Sequence, residues 1–142
     1  MGRTSMDLSR HARRNHRYPP VADPEHSPLL DEGIAEFNAG RHWHAHEAWE
    51  QLWLGLEGDD KLFVQGLIMA AAMLHQYRRG VVRGVQNHYR NVLARLPPHG
   101  PRRWGIDVAG LLDQLAPFGE PVLAGDEAMA LDPDAVRLVR VR

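Results

Sequence analysis

An apolar run, Gly66 to Leu74, constrains the fold of this chain more than any other feature. Its residues are apolar nearly all the way round a helical wheel, which is typical of a helix buried on every side. Acidic residues precede the run and suit the positive end of a helix dipole, while Gly80 follows it and suits a helix C-terminus. We therefore predict a central helix at about 61–79 that other helices surround.

Apolar residues at helical spacing predict four further helices. Ser27 and Pro28 predict that the first begins there and runs to about 39, because serine caps helix N-termini and proline is tolerated at the first helical position. The same reasoning predicts helices at about 41–56, 82–96 and 107–115. Prolines interrupt the sequence from Pro117 onwards, so no regular helix is predicted there, and residues 136–141 form either a short strand or a tethered extended tail.

The predicted fold is all-α, a small antiparallel bundle of about five helices with extended N- and C-terminal tails. Residues 1–28 form a basic, proline-containing tail, residues 29–117 the bundle domain, and residues 118–142 an irregular C-terminal tail. The N-terminal tail has too few large apolar residues to fold alone. It is either a solvated segment or an arm for a nucleic acid or an acidic partner. It can also dock on its own domain or on a second subunit, so a homo-oligomer is compatible with the sequence.

Composition narrows the function classes. The formal net charge of -1 gives no support for a nucleic-acid partner. The absence of cysteine excludes disulfides, thiolate metal sites and a cysteine nucleophile. The longest apolar run is about half of the ~18 residues that a membrane span requires, and the N-terminus lacks the apolar core of a secretory signal. We therefore expect a soluble, cytoplasmic protein without a membrane partner.

The segment from Phe37 to Trp53 holds three of the four tryptophans and three of the nine histidines. On a helical wheel its aromatic and ionisable side chains share one broad face, with Glu47 at the edge. Ionisable groups buried beside tryptophans must be paired or have shifted pKa values, since an isolated buried charge is costly. The other residues of this face are His42, Trp43, His46, Trp49, Glu50 and Trp53.

This face predicts a pocket between the second and third helices. His46 and Glu50, one turn apart, place an imidazole and a carboxylate where one cation can bind both, and antiparallel packing puts His75 at a similar height. His46, Glu50 and His75 are therefore the candidate ligands of a divalent metal, with open positions for metal-assisted hydrolysis. The candidate acid and base groups are His46, Glu47 and Glu50. Side chains that would line the pocket or contact the ligands are Trp43, Trp49, Trp53, Gln65 and Arg79.

A second interpretation stays open. His46 can instead bond Glu50 or a backbone carbonyl in a buried structural network, with the tryptophans as core. The protein is then a non-enzymatic interaction module whose functional surface lies elsewhere, on the basic tail or between Arg78 and Arg90. The residues alone do not decide whether the protein is an enzyme.

Several short motifs occur in a recognisable order. They are Phe37-Asn-Ala-Gly40, His46-Glu47-x-x-Glu50-x-x-Trp53, Phe63-x-Gln65-Gly66-Leu67-Ile68, Ala71-Ala72-x-x-His75 and Arg79-Gly80. Together with the segment to Leu115, they resemble the prokaryotic family catalogued as domain of unknown function 309, over about residues 29–115. The resemblance implies a soluble all-α bundle and no particular activity. It also implies that His46, Glu47, Glu50, Trp53, Gln65, His75 and Arg79 match positions of the family motif, whereas Val81 departs from the asparagine that usually follows Arg-Gly.

Overall fold

The computed structural model describes residues 18–141, which form five α-helices and one small antiparallel hairpin. The helices are α1 (Pro28–Asn38), α2 (His42–Trp53), α3 (Gly58–Arg79), α4 (Val82–Arg95) and α5 (Val108–Leu123), and the strands are β1 (Arg102–Arg103) and β2 (Ile106–Asp107). The predicted all-α class with about five helices is confirmed. Most of the predicted N-terminal tail lies outside the described residues.

The helix boundaries follow local chemistry at most ends. The Ser27 side chain accepts a hydrogen bond from the Leu29 amide at 3.1 Å and so caps α1, as predicted. Gly40 and Gly80 adopt φ angles of +79° and +71°, a left-handed conformation that glycine takes without strain. These two glycines separate α1 from α2 and α3 from α4, so consecutive helices reverse direction within a few residues.

Helix α3 is the centre of the bundle, as predicted. Every residue from Phe63 to Leu74 is buried. Small residues let its neighbours approach closely, because a Cβ added at Gly66 would lie 2.5 Å from a Leu96 methyl carbon. Helices α2 and α4 lie antiparallel to α3 on two of its sides, which positions side chains from all three helices near one another.

Helix α5 is longer than predicted. The prediction that it ends near Leu115 is wrong, because the helix continues through Pro117 and Pro121 to Leu123. Proline removes a helical hydrogen bond and normally ends or kinks a helix. Here the buried stripe Leu111, Leu115, Phe118 and Val122 runs on past Pro117, so burial against the bundle outweighs the local cost.

Contacts with α4 hold this extension in place. A Cβ at Gly119 would lie 2.3 Å from the Tyr89 ring, so the two helices are in close contact there. The Tyr89 hydroxyl donates to the Glu120 carboxylate, and the Gln86 side chain donates to the Val122 carbonyl at 3.2 Å. The residues that form these contacts are far apart in sequence. A prediction based on the local prolines therefore cannot include their effect.

The segment after α5 packs back on the bundle. Val136 and Leu138 are buried, and the Asn38 side chain both donates to the Leu138 carbonyl and accepts from the Leu138 amide, at 3.0 and 2.7 Å. A single bridge pairs Ile106 with Arg140. Residues 136–141 are therefore tethered and extended. The division of the whole chain into two tails and a bundle domain stays a prediction. No helix within residues 18–141 is long and apolar enough to cross a membrane.

Candidate functional site

Helix α2 presents different side chains to its two neighbours. Trp49 faces α1, where it is fully buried and its Nε1 donates to the Leu30 carbonyl at 3.2 Å. A Cβ at Gly33 would lie 2.0 Å from that Nε1, so the indole packs directly on the α1 backbone. Trp49, predicted as a pocket residue, therefore lies in the structural α1–α2 interface.

His46 and Glu50 lie together on the neighbouring part of the α2 surface. The His46 Nε2 lies 3.9 Å from the Glu50 Oε2, which is within ion-pair range but longer than a hydrogen bond. His46 is only 9% exposed. Its Nδ1 is buried, and no described residue bonds it. The structure thus brings the predicted imidazole–carboxylate pair together and leaves one imidazole nitrogen without a partner in the described part of the chain.

Trp43 joins α2 to α3 over this pair. Its indole stacks on His46, with ring centroids 4.5 Å apart and planes 19° from parallel. The same indole contacts His75 of α3 at a centroid distance of 5.0 Å. Trp43 is nevertheless 44% exposed, so it covers both imidazoles on one side and faces solvent on the other.

A third histidine belongs to this site. Burial is the main cause that lowers the pKa of His46, and the charges of His88 and His75 lower it further while Glu47 raises it. His88, from α4, is therefore close enough to act electrostatically on His46. Burial also lowers the pKa of His88, whose buried Nδ1 has no hydrogen-bond partner among residues 18–141. We call His46, His75 and His88, together with Glu50 and Trp43, the histidine cluster.

The three histidines of the cluster are uncharged near neutral pH. The pKa of His75 is lowered by burial first and then by the Arg79 and Arg78 charges. Because each of the three pKa values lies below the ordinary 6.5, the neutral imidazole dominates at pH 7. A neutral imidazole offers one donor and one acceptor nitrogen, and it can take a proton from a ligand.

The remaining predicted residues lie on α2 and α3 outside the cluster. Trp53 is fully buried, and the ammonium of Lys61 lies 4.2 Å above its ring centroid. Gln65 is 5% exposed, and its Oε1 has no partner within the described range. Glu47 and Arg79 are exposed and affect the histidines through their charges.

His42 marks the end of this face of α2. It is 2% exposed and packs edge-on against Phe37. Burial, followed by the Arg78 charge, lowers the pKa of His42 to about 4, although Asp134 opposes this. Neither of its ring nitrogens is bonded by a described residue, so His42 is held in the core by packing alone.

The predicted metal ligands do not form a metal centre as they are placed. Within residues 18–141, no three His, Asp or Glu side chains are arranged so that they could hold a metal ion. The pair His46 and Glu50 is present, but no third group joins it in that geometry. Metal binding therefore stays a prediction.

His88 was not singled out in the sequence. It follows Val85 by three residues, at the edge of the buried stripe of α4, and that position is the signal that would have identified it. Its role in the cluster arises from packing, because His46 and His88 come from helices that both lie against α3.

Comparison with known proteins supports the resemblance. No curated protein and no solved structure matches this chain. The family model described as "Domain of unknown function (DUF309)" matches residues 30–88, which run from α1 to His88 and contain the whole histidine cluster. Over these residues the chain is similar to DUF309, an uncharacterised domain, and the predicted resemblance is confirmed.

Proposed function

We propose that the protein binds a small, planar, uncharged molecule that carries N–H groups, at the histidine cluster. One observation carries the proposal. An exposed indole, Trp43, stacks over His46, and that buried imidazole keeps an Nδ1 that no described residue bonds. Buried polar atoms are almost always hydrogen-bonded in native proteins, so a site of this kind favours a ligand that supplies the missing bond.

The chemistry of the cluster defines the ligand class. The carboxylate of Glu50 accepts hydrogen bonds, and the neutral imidazoles each have one accepting nitrogen. Such groups favour a ligand that donates. The indole face of Trp43 favours a flat one, because offset stacking adds to the energy of burial.

Two features favour an uncharged ligand over a cation. The charges of Arg78 and Arg79 already lower the pKa of His75, so the electrostatic environment at that side is positive. The Arg78 charge also lowers the pKa of His42, after burial, at the end of the same face of α2. A heterocycle or amide that donates N–H groups avoids this repulsion and still supplies a donor to the His46 Nδ1.

Thermal unfolding with three kinds of probe tests the proposal. Nicotinamide and cytosine represent planar N–H donors, benzamidine represents the cationic counterpart, and Zn²⁺ represents the metal. We expect an uncharged planar probe at a tenfold excess over its Kd to raise the melting temperature by about 3–5 °C, from the ~1.4 kcal/mol of binding linkage. His46→Gln should abolish this shift, whereas His26→Gln should preserve it, because His26 is exposed and lies outside the cluster.

The pattern of responses separates three interpretations. A shift with Zn²⁺ alone, lost in His46→Gln and His75→Gln, would support the predicted metal site and overturn the proposal. A response to benzamidine but not to the uncharged probes would contradict the ligand class. If no probe shifts the melting temperature, the structural-network interpretation is favoured.

A further inference from the structure

The negatively charged residues of this chain are unevenly distributed along its sequence. All 18 Asp and Glu residues lie outside residues 61–106, so that stretch contains no negative side chain. The formal net charge of -1 hides this division because it sums both parts. The positively charged residues within 61–106 are Lys61, Arg78, Arg79, Arg83, Arg90, Arg95, Arg102 and Arg103.

Three of these arginines are exposed, one at the end of α3 and two on α4. The first is Arg79, and the two on α4 are Arg83 and Arg90. Within residues 18–141 no carboxylate lies within ion-pair distance of any of the three. By contrast, Arg78 pairs with Asp134 and Arg103 pairs with Asp60. The three arginines therefore retain their positive charge.

Two asparagines lie on the same side of α4 as Arg83 and Arg90. At 100° per residue, Arg83, Asn87, Arg90 and Asn91 fall within an arc of about 100° on the α4 wheel, and all four are exposed. Arg83 and Arg90 are about 10 Å apart along the helix axis. The Arg90 side chain lies 3.4 Å from the Asn87 oxygen, and Asn91 donates to the Asn87 backbone carbonyl at 2.9 Å. We call Arg79, Arg83, Asn87, Arg90 and Asn91 the α4 face.

We propose that the α4 face binds the phosphate backbone of a nucleic acid. Arginine contacts phosphate with a planar fork of donors, and asparagine amides add contacts to phosphate and sugar. On α4 and the turn before it, the large exposed apolar side chains are Val81 and Leu93, and both are aliphatic. The exposed indole of Trp43 stacks on His46 and contacts His75. Binding to an anionic membrane surface usually adds exposed aromatic anchors to basic residues, so the composition favours a nucleic acid.

Neutralising two arginines tests the face against a matched control. The variant Arg83→Gln/Arg90→Gln and the control Arg41→Gln/Arg137→Gln change the net charge equally, and all four positions are exposed. Binding of the full chain to a 20-nucleotide single strand and to a 20-base-pair duplex is measured by fluorescence anisotropy from 50 to 200 mM salt. We expect the α4 variant to bind roughly fifty- to hundredfold more weakly at 50 mM salt, with a log–log salt slope smaller by about 1.4–1.8. The control should lose much less affinity.

Several outcomes would overturn the proposal. They are no binding of either probe by the unmodified protein, equal weakening in both variants, or no weakening in the α4 variant. Binding to phosphatidylserine vesicles without binding to either oligonucleotide would assign the face to a membrane. Self-association at 50 mM salt that the α4 variant abolishes, with no oligonucleotide binding, would assign it to a second copy of the chain. Circular dichroism of both variants checks that the fold is retained.

Discussion

Helix α2 packs against both α1 and α3, and two of its buried side chains, Trp49 and His46, differ in how their polar atoms are bonded. Toward α1, the one polar atom of Trp49 donates to a backbone carbonyl, and its ring lies against Gly33. Toward α3, His46 keeps a buried nitrogen that no described residue bonds, and the nearest carboxylate lies beyond hydrogen-bond distance. Buried ring nitrogens without a described partner occur at both interfaces, because His42 packs against Phe37 of α1 and has two. The α2–α3 interface differs in that its imidazole, His46, stacks on an indole that is 44% exposed.

This difference has a consequence for stability and function. A buried polar atom without a partner costs about 1–3 kcal/mol, and proteins tolerate such costs most often where function requires them. Because Trp49 is fully buried against α1 whereas Trp43 is exposed above His46, the α1–α2 interface should carry stability and the α2–α3 interface should carry the site. Mutations on the two sides of the same helix can separate these roles.

The largest expected effect is on the α1 side. Trp49→Ala should lower the free energy of unfolding by about 4 kcal/mol, because it removes a fully buried indole and leaves a cavity. Trp43→Ala is the matched control, with the same substitution on the same helix at a side chain that is 44% exposed. It should cost about 1 kcal/mol or less. Urea denaturation at pH 7 measures both.

Equal losses in these two variants would contradict the comparison. So would a Trp49→Ala variant of nearly unchanged stability, because the α1 interface would then not be the main anchor of α2. Protein yield and circular dichroism decide whether Trp49→Ala folds at all. If it does not, Trp49→Phe, which keeps an aromatic ring but loses the bond to Leu30, should cost less than the alanine variant.

The sequence predicted these interfaces unevenly, and the reasons are physical. Helical spacing identified His46 and Glu50 as neighbours, because residues four apart share a face in any α-helix. The same wheel placed Trp49 with them, since a wheel shows direction but not which neighbour lies on each side. His88 joined the cluster only when α4 folded against α3. Packing also carried α5 through Pro117, where the local signals predicted an end.

The next effect is on the pH dependence of stability. The pKa of His42 is lowered to about 4 by burial and Arg78, so the unfolded chain binds a proton more readily than the folded protein. Above about pH 6.5 His42 is neutral in both states and does not lower the free energy of unfolding. As the pH falls toward 4, the unfolded chain takes up the proton first, and the free energy of unfolding decreases. From the difference between 6.5 and about 4, we expect a loss of about 3 kcal/mol over that range from His42 alone.

His42→Leu isolates this contribution, because carboxylates elsewhere also titrate at low pH. The variant should lose about 3 kcal/mol less than the unmodified protein between pH 7 and pH 4. The measurement is urea denaturation at pH 7.0, 5.5 and 4.0. His26→Leu is the control, since His26 is exposed. Parallel pH profiles for the unmodified protein and His42→Leu would show that His42 does not couple folding to pH.

The smallest effect bears most directly on the site. If the His46 imidazole serves a ligand and not the fold, replacing it with an apolar side chain of similar size should stabilise the free protein by about 1 kcal/mol, because an unpaired buried nitrogen is removed. A structural network predicts the opposite sign, since His46→Leu would break a useful bond and His46→Gln would partly restore it. Urea denaturation of both variants at pH 7, without ligand, measures the sign. If His46→Leu is more stable and no longer binds the probe, the unbonded His46 nitrogen serves ligand binding. If His46→Leu loses about 1 kcal/mol or more of unfolding free energy and His46→Gln recovers it, His46 serves the fold.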